Sequence, residues 1–326
     1  MARIFAYTTH KGGAPDDTAA ELIAAAKKID AAASPTAIVF GWGADLDAVC
    51  ATLRASYKEV WKIAQETFAY PNAELIRKGL VQVLPAGAIV LVPHEHFGID
   101  LAPGLSIKLN AAFVSDAVAI EGVEGSDLKV VRQEFGGQVS AHVRCDVSSG
   151  AVVTLRPGAF KPLESAAVNG TVVDKSSDVG VLAAGRRYLE TVIAEAGDVD
   201  ITKFNVLVSI GRGIQEKDNV GIAQELADAL GAAVSCSRPV VDAKWLEKSR
   251  QVGSSGKTVK PKVYLACGIS GSFQHLAGIK GNPFLIAINK NPKAPIFQAA
   301  DVGVVDDILE FLPELTNKVR EMRNVA

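Results

Sequence analysis

The chain has 326 residues, of which 48% are hydrophobic and 21% charged, and its formal net charge is −2. That length favours two domains over one, and the apolar content is ample for packed cores and excludes a disordered chain. A near-neutral charge without a basic stripe argues against a nucleic-acid or membrane-surface partner, since both require a cationic face.

The start, RIFAYTT (3–9), enters a strand-like run at once, without a charged and apolar leader or an Arg- and Ser-rich transit segment. No apolar stretch approaches the ~20 residues of a membrane span. A cytoplasmic protein with no direct membrane insertion is expected. A helix pattern over 17–29, a strand over 36–42, a helix over 45–55, a strand over 58–64, a helix over 74–84, a strand over 88–94 and a helix over 99–110 follow. Short apolar runs alternating with 3.6-period segments predict an open parallel sheet with helices on both faces.

From 113 to 173 the segments AAFVSDAVAIEG, DLKVVRQEF, QVSAHVRCDV and AVVTLRPGAF predict antiparallel strands added to that first sheet. A helix is expected over 182–196, and AGDVDITK (196–203) reads as the boundary, giving domains 1–198 and 199–326. The alternation then restarts: strand 205–211, helix 221–231, strands 232–237 and 262–268, a helix through FQHLAGI, strands 284–290 and 300–306, and a closing helix. The fold class is α/β, with two Rossmann-like open parallel-sheet domains.

Cys50, Cys145, Cys236 and Cys267 form no C-x-x-C pair, so reduced buried thiols are expected. HEH (94–96) lacks a third ligand at metal spacing and reads as a surface loop. No Ser–His–Asp or Cys–His nucleophile arrangement is present, and THKGGAPDD after the first strand has no G-x-G-x-x-G.

Ligands of open α/β sheets bind outside the carboxyl ends of the strands. In the second half those ends carry Arg212, Ser237 and Arg238, the loop QVGSSGKTV (251–259), GISGSFQH (268–275), Asn289 with Lys290, and Asp307. Glycines, hydroxyls and arginines in that position suit a large polar cofactor with phosphates. Taken singly, GRG (211–213) is a simple turn, and His275 is as readily a core histidine as a site histidine. QVGSSGK lacks the four-residue spacer of a nucleoside-triphosphate loop.

The order GRG, SRPVVD, VG-x-x-GKTV-x-P, GISG-x-x-QHLAG and INK-x-P-x-API over 205–315 resembles the alpha subunit of electron transfer flavoprotein. DLAPGLSIKLNAAFVSDA (100–117) resembles that family more loosely in the first domain. The resemblance implies an FAD in the C-terminal domain, held together with a beta subunit that carries AMP or a second FAD. Arg212 would position the cofactor, and Ser237 and Arg238 would lie near flavin and diphosphate, the Arg238 charge stabilising a reduced flavin. Gln251, Val252, Gly253, Ser254 and Ser255 would meet the isoalloxazine edge, Ser255 on the N5 side. Gly268, Ser270, Gly271, Ser272, Phe273, Gln274 and His275 would wrap flavin and phosphates, His275 near the pyrimidine carbonyl. Asn289, Asp307 and Ile308 would reach the adenosine end.

The resemblance implies an electron carrier in a heterodimer, linking acyl-CoA dehydrogenases to a membrane quinone reductase in fatty-acid oxidation. An NADH-dependent electron-bifurcating relative is the alternative. Ser254 and Ser255 stand where the family commonly has Gln–Thr, Asn291 replaces an Asp, and Gly104 replaces an Arg. Ser255 keeps the hydroxyl of the threonine and loses its methyl.

Overall fold

The computed structural model describes residues 3–135, 139–163, 168–191, 199–281 and 283–325. The chain divides into two compact units, Met1–Glu190 and Thr191–Ala326. The first begins with β1 (Ile4–Tyr7), a two-strand ribbon of β2 (His10–Lys11) and β3 (Ala14–Pro15), α1 (Thr18–Ile29), β4 (Thr36–Gly41), α2 (Gly43–Leu53) and β5 (Glu59–Ala64). It continues through α3 (Ala73–Val83), β6 (Ile89–Pro93), α4 (His96–Leu109), β7 (Ala112–Glu124), β8 (Asp127–Glu134), β9 (Val139–Asp146), β10 (Ala151–Leu155) and β11 (Thr171–Asp174).

Nine of these strands form one sheet, in the order β11-β5-β4-β1-β6-β10-β7-β8-β9. β1, β4, β6 and β10 are buried at every position, as parallel strands covered on both faces must be. Successive side chains split between two cores. Ala6, Val39, Leu91 and Val153 face the layer containing Leu22 of α1 and Val49 of α2. Phe5, Ile38, Val90 and Val152 face Leu80 of α3 and Leu105 of α4. Asn72 starts α3 by accepting hydrogen bonds from the amides of Glu74 and Leu75 at 3.0 and 3.4 Å.

Two sequence expectations change here. AVVTL does not add an antiparallel strand: β10 lies between β6 and β7 and is parallel to both, so AAFVSDAVAIEG (β7) likewise joins the sheet in parallel and is antiparallel only to β8. Its five consecutive buried residues fit an interior position, whereas β8 and β9, which are antiparallel, complete the edge. Residues 182–191 form no helix. Side chains of α3 meet this segment instead: Gly185 N–H donates to Glu74 Oε2 at 3.0 Å and Lys78 Nζ donates to the Ala183 carbonyl, while just upstream Gly180 N–H donates to Gln82 Oε1 at 2.8 Å. The remainder of the expected helix, 192–196, lies outside the described residues.

The second unit contains β12 (Val206–Ile210), α5 (Val220–Leu230), β13 (Ala233–Cys236), α6 (Arg238–Asp242), β14 (Val263–Cys267), α7 (Phe273–Leu276), β15 (Phe284–Ile288), β16 (Val302–Val304) and α8 (Ile308–Val325). α5 stops at Gly231, whose φ of 66° is the left-handed cap that glycine adopts without a Cβ penalty. The five strands are all parallel, in the order β13-β12-β14-β15-β16. The order reverses between β12 and β14, so the crevice for a ligand lies beyond the carboxyl ends of those two strands.

Candidate cofactor site

Two glycine loops close the floor of this crevice. Beyond β12, Gly211 N–H donates to the Cys267 carbonyl at 2.8 Å and Gly213 N–H to the Gly268 carbonyl at 3.1 Å. A Cβ on Gly211 would stand 2.2 Å from the Gly268 oxygen, and one on Gly213 would stand 2.7 Å from the Gly268 Cα. Gly268 itself has a φ of 64°. The GRG and GIS turns therefore meet backbone to backbone, a contact open to no other residue type. Ile308, 3% exposed, packs its Cδ1 beneath this junction.

The third loop is stitched to α7. Val252 N–H donates to the Cys236 carbonyl at 2.8 Å, Lys257 N–H to the Gln251 carbonyl at 2.7 Å and Ser254 N–H to the Gln274 carbonyl at 2.7 Å. A Cβ on Gly278 would lie 2.3 Å from Gly253 N, so that approach is also backbone on backbone. Gln251, 3% exposed, donates from Nε2 to Ser255 Oγ at 2.9 Å. With one lone pair of the hydroxyl so occupied, its O–H is available to donate outward. Buried Arg250 ties the base of the loop to β13 through a 2.9 Å bond from Nη1 to the Val234 carbonyl.

His275 is 5% exposed. Its Nδ1 lies 3.1 Å from the Val252 carbonyl, and its Nε2 lies 2.9 Å from Tyr264 Oη, which is 2.7 Å from Ser209 Oγ. Burial pushes its pKa down to about 4, against the opposing pull of the Val252 carbonyl, so the ring is neutral at pH 7. The structure thus gives both ring nitrogens partners inside the domain. Donation to a flavin carbonyl would require one of these bonds to be surrendered.

The other expected residues separate into two groups. Asn289, 9% exposed, donates to the Ile269 carbonyl at 2.9 Å and accepts from Asn291 N–H at 2.9 Å, joining β15 to the GIS loop. Asp307 caps α8, its Oδ1 accepting from Leu309 N–H at 3.0 Å. Gly271, with a φ of 85°, abuts Ile296, and Ser237, 7% exposed, opens α6. The exposed group is Arg212, Arg238, Ser254, Ser255, Ser270, Ser272, Phe273 and Gln274. Arg238 projects from the surface, its Nε 3.4 Å from Asp242 Oδ2.

Sequence reasoning missed Arg250, Tyr264 and Ser209, which lie beneath the loops. Their signal was a tyrosine inside the apolar run VYLAC and a serine inside NVLVSIG. HEH is also resolved: His94 Nδ1 bonds Thr154 Oγ1 at 2.8 Å, and His96 opens α4. Among the described residues no group of three or more His, Cys, Asp or Glu is placed to hold a metal ion, and no helix is long and apolar enough to cross a membrane.

A glycine-lined crevice at the switch point of a parallel sheet, with exposed arginines and hydroxyls around it, defines a phosphate-bearing cofactor domain attached to a second α/β domain. Residues 4–179 match the electron transfer flavoprotein domain and residues 200–280 the electron transfer flavoprotein FAD-binding domain. The chain belongs to the electron transfer flavoprotein alpha-subunit family, and its C-terminal domain is the FAD-binding domain of that family. It is 35% identical to electron transfer flavoprotein subunit alpha of Methylophilus methylotrophus over 321 residues, covering 97% of this chain and 98% of the relative. It is 35% identical to the same subunit of Thermoanaerobacterium thermosaccharolyticum over 259 residues, covering 79% and 77%. A third relative, lactate dehydrogenase (NAD(+),ferredoxin) subunit LctC of Acetobacterium woodii, is 33% identical over 257 residues, which cover 78% of this chain and 60% of that protein.

Proposed function

We propose that this chain pairs with a beta subunit to form a heterodimeric electron carrier of the cytoplasm, which takes electrons from acyl-CoA dehydrogenases and delivers them to a membrane quinone reductase. The observation that supports it most is the crossing of the GRG and GIS turns at the β12/β14 switch point, a backbone-lined floor beside exposed cations. FAD, when bound, supplies the reversible uptake of electrons. The chain's own residues bind and orient it. Arg212, Ser270, Ser272 and Gln274 would hold its polar and phosphate groups, Arg238 would set a fixed positive charge near the ring, and Ser255 would donate its hydroxyl to the ring edge. Gln251, Val252, Gly253, Gly268, Gly271 and Asn289 shape the loops that carry those groups, and no catalytic acid or base is required.

The LctC likeness supports a second reading, in which the same fold serves an NADH-dependent bifurcating complex with a second FAD in the beta subunit. Co-purification with its beta subunit, followed by an absorbance spectrum and flavin quantification, separates the two. One FAD per heterodimer and no reduction by NADH supports the carrier. Two FADs with reduction by NADH supports bifurcation, and a colourless heterodimer that takes up no FAD overturns both.

A further inference from the structure

We propose that Tyr264 is a positioning residue for the cofactor loop 251–255 and acts on it through His275. The proposal rests on the flavin reading above and extends it to a residue that touches no ligand. Tyr264 sits in β14 with no exposed surface, and its Oη bridges Ser209 Oγ of β12 at 2.7 Å and His275 Nε2 at 2.9 Å.

The proton positions in this chain follow from the groups at its end. A carbonyl oxygen only accepts, so the 3.1 Å contact with Val252 places the ring hydrogen on Nδ1. The ring is neutral and holds a single hydrogen, so Nε2 carries a lone pair and the Tyr264 hydroxyl donates to it. The Ser209 hydroxyl in turn donates to Tyr264 Oη. The chain therefore runs one way, from Ser209 to Tyr264 to His275 to the Val252 carbonyl. Val252 stands directly between Gln251, which holds the Ser255 hydroxyl, and Gly253, against which α7 is packed. Fixing the imidazole from below thus fixes the height of the loop that carries Ser255. A bond that selects one tautomer of a histidine through its second nitrogen is a general means of orienting the group on the first.

A purely space-filling trio makes a different prediction, because two substitutions cut the chain at different links. Ser209→Ala leaves the Tyr264–His275 bond in place. Tyr264→Phe removes it while keeping the ring. The full chain, purified with its beta subunit and stripped of flavin, is titrated with FAD, and the His275 ring nitrogens are read by 15N NMR in the same samples. Tyr264→Phe is expected to weaken FAD binding roughly 5- to 20-fold, in line with loss of one buried bond, and Ser209→Ala about twofold or less. The NMR is expected to show the Nδ1–H form in the wild type and in Ser209→Ala, and a mixture of tautomers in Tyr264→Phe. Equal losses of affinity in both variants, or unchanged affinity in Tyr264→Phe, would overturn the proposal. If Tyr264→Phe does not fold, the wild-type spectrum decides, since an Nε2–H ring is incompatible with the chain as described. The tautomer is measured without flavin, so a wild type that takes up no FAD condemns the flavin reading without being confused with this result.

Discussion

Gly213 donates its backbone N–H to the Gly268 carbonyl at 3.1 Å, and this bond joins two loops from opposite sides of the strand-order reversal. A methyl group at Gly211 or Gly213 would meet backbone atoms at 2.2 and 2.7 Å. Gly211→Ala should therefore force the loops apart, reducing stability by about 2–4 kcal/mol and abolishing stoichiometric FAD retention. Gly221 on α5 is the control, because nothing lies within 4 Å of its missing Cβ. Gly221→Ala should raise stability by about 0.5–1 kcal/mol in a urea titration and leave flavin content unchanged.

Gly104 lies within α4, and the Arg77 side chain of α3 covers it, with Nη1 2.6 Å from the position of a Cβ. The obstacle is the far end of a flexible side chain rather than backbone. Gly104→Ala should displace it cheaply and gain helix propensity, with a net change between zero and about +1 kcal/mol measured by chemical denaturation. A loss above about 1 kcal/mol would show that Arg77 is fixed there by more than packing.

The low pKa of His275 makes stability depend on pH with a definite sign. The folded-state value of about 4 is below the ordinary 6.5, so the unfolded chain binds the proton more readily. The stabilisation is complete above pH ~6.5 and is lost as pH falls toward 4, by about 3 kcal/mol at most. His275→Gln removes this dependence. The gap between wild type and variant in urea midpoint should narrow on acidification across that window, and a constant gap would contradict the neutral, buried ring.

Asp116 holds a φ of 58° at an irregularity in β7 and takes both Nε and Nη2 of Arg156, the Nε bond at 2.9 Å. Burial raises its pKa, but the Arg156 hydrogen bonds and charge outweigh this and hold it below the usual carboxylate range. Arg156→Lys should destabilise the first domain by about 1–2 kcal/mol, because an ammonium cannot reproduce the forked contact. Asp116→Asn should be better tolerated than Asp116→Ala, since asparagine accepts the left-handed conformation. Thermal denaturation of the three variants tests this order.

The buried parallel strands were legible because AIVF, VLVS and VYLAC are apolar on both faces. The direction of AVVTL was not, since an apolar run carries no sign of which neighbour it pairs with or in which sense. The helix expected over 182–196 does not form in its described part, 182–191, where Glu74 and Lys78, about a hundred residues upstream, meet the backbone at Gly185 and Ala183. The glycine loops announced themselves by composition. What lies beneath them did not: the bonding of His275 depends on a tyrosine hidden within a hydrophobic strand. Asp307 and Ile308, expected at the adenosine end, have side chains that cap α8 and fill the core respectively.

Every pairing in the C-terminal sheet is parallel, and its first strand in the chain, β12, joins β13 on one side and β14 on the other. No tight hairpin can seed such a sheet, so each closure waits for a long intervening segment. During synthesis Ile210 emerges well before its partner Cys267, and a nascent chain that ends short of that cysteine has no second wall to its crevice. An FAD held in that crevice would consequently be taken up late, only after β14 has left the ribosome and docked.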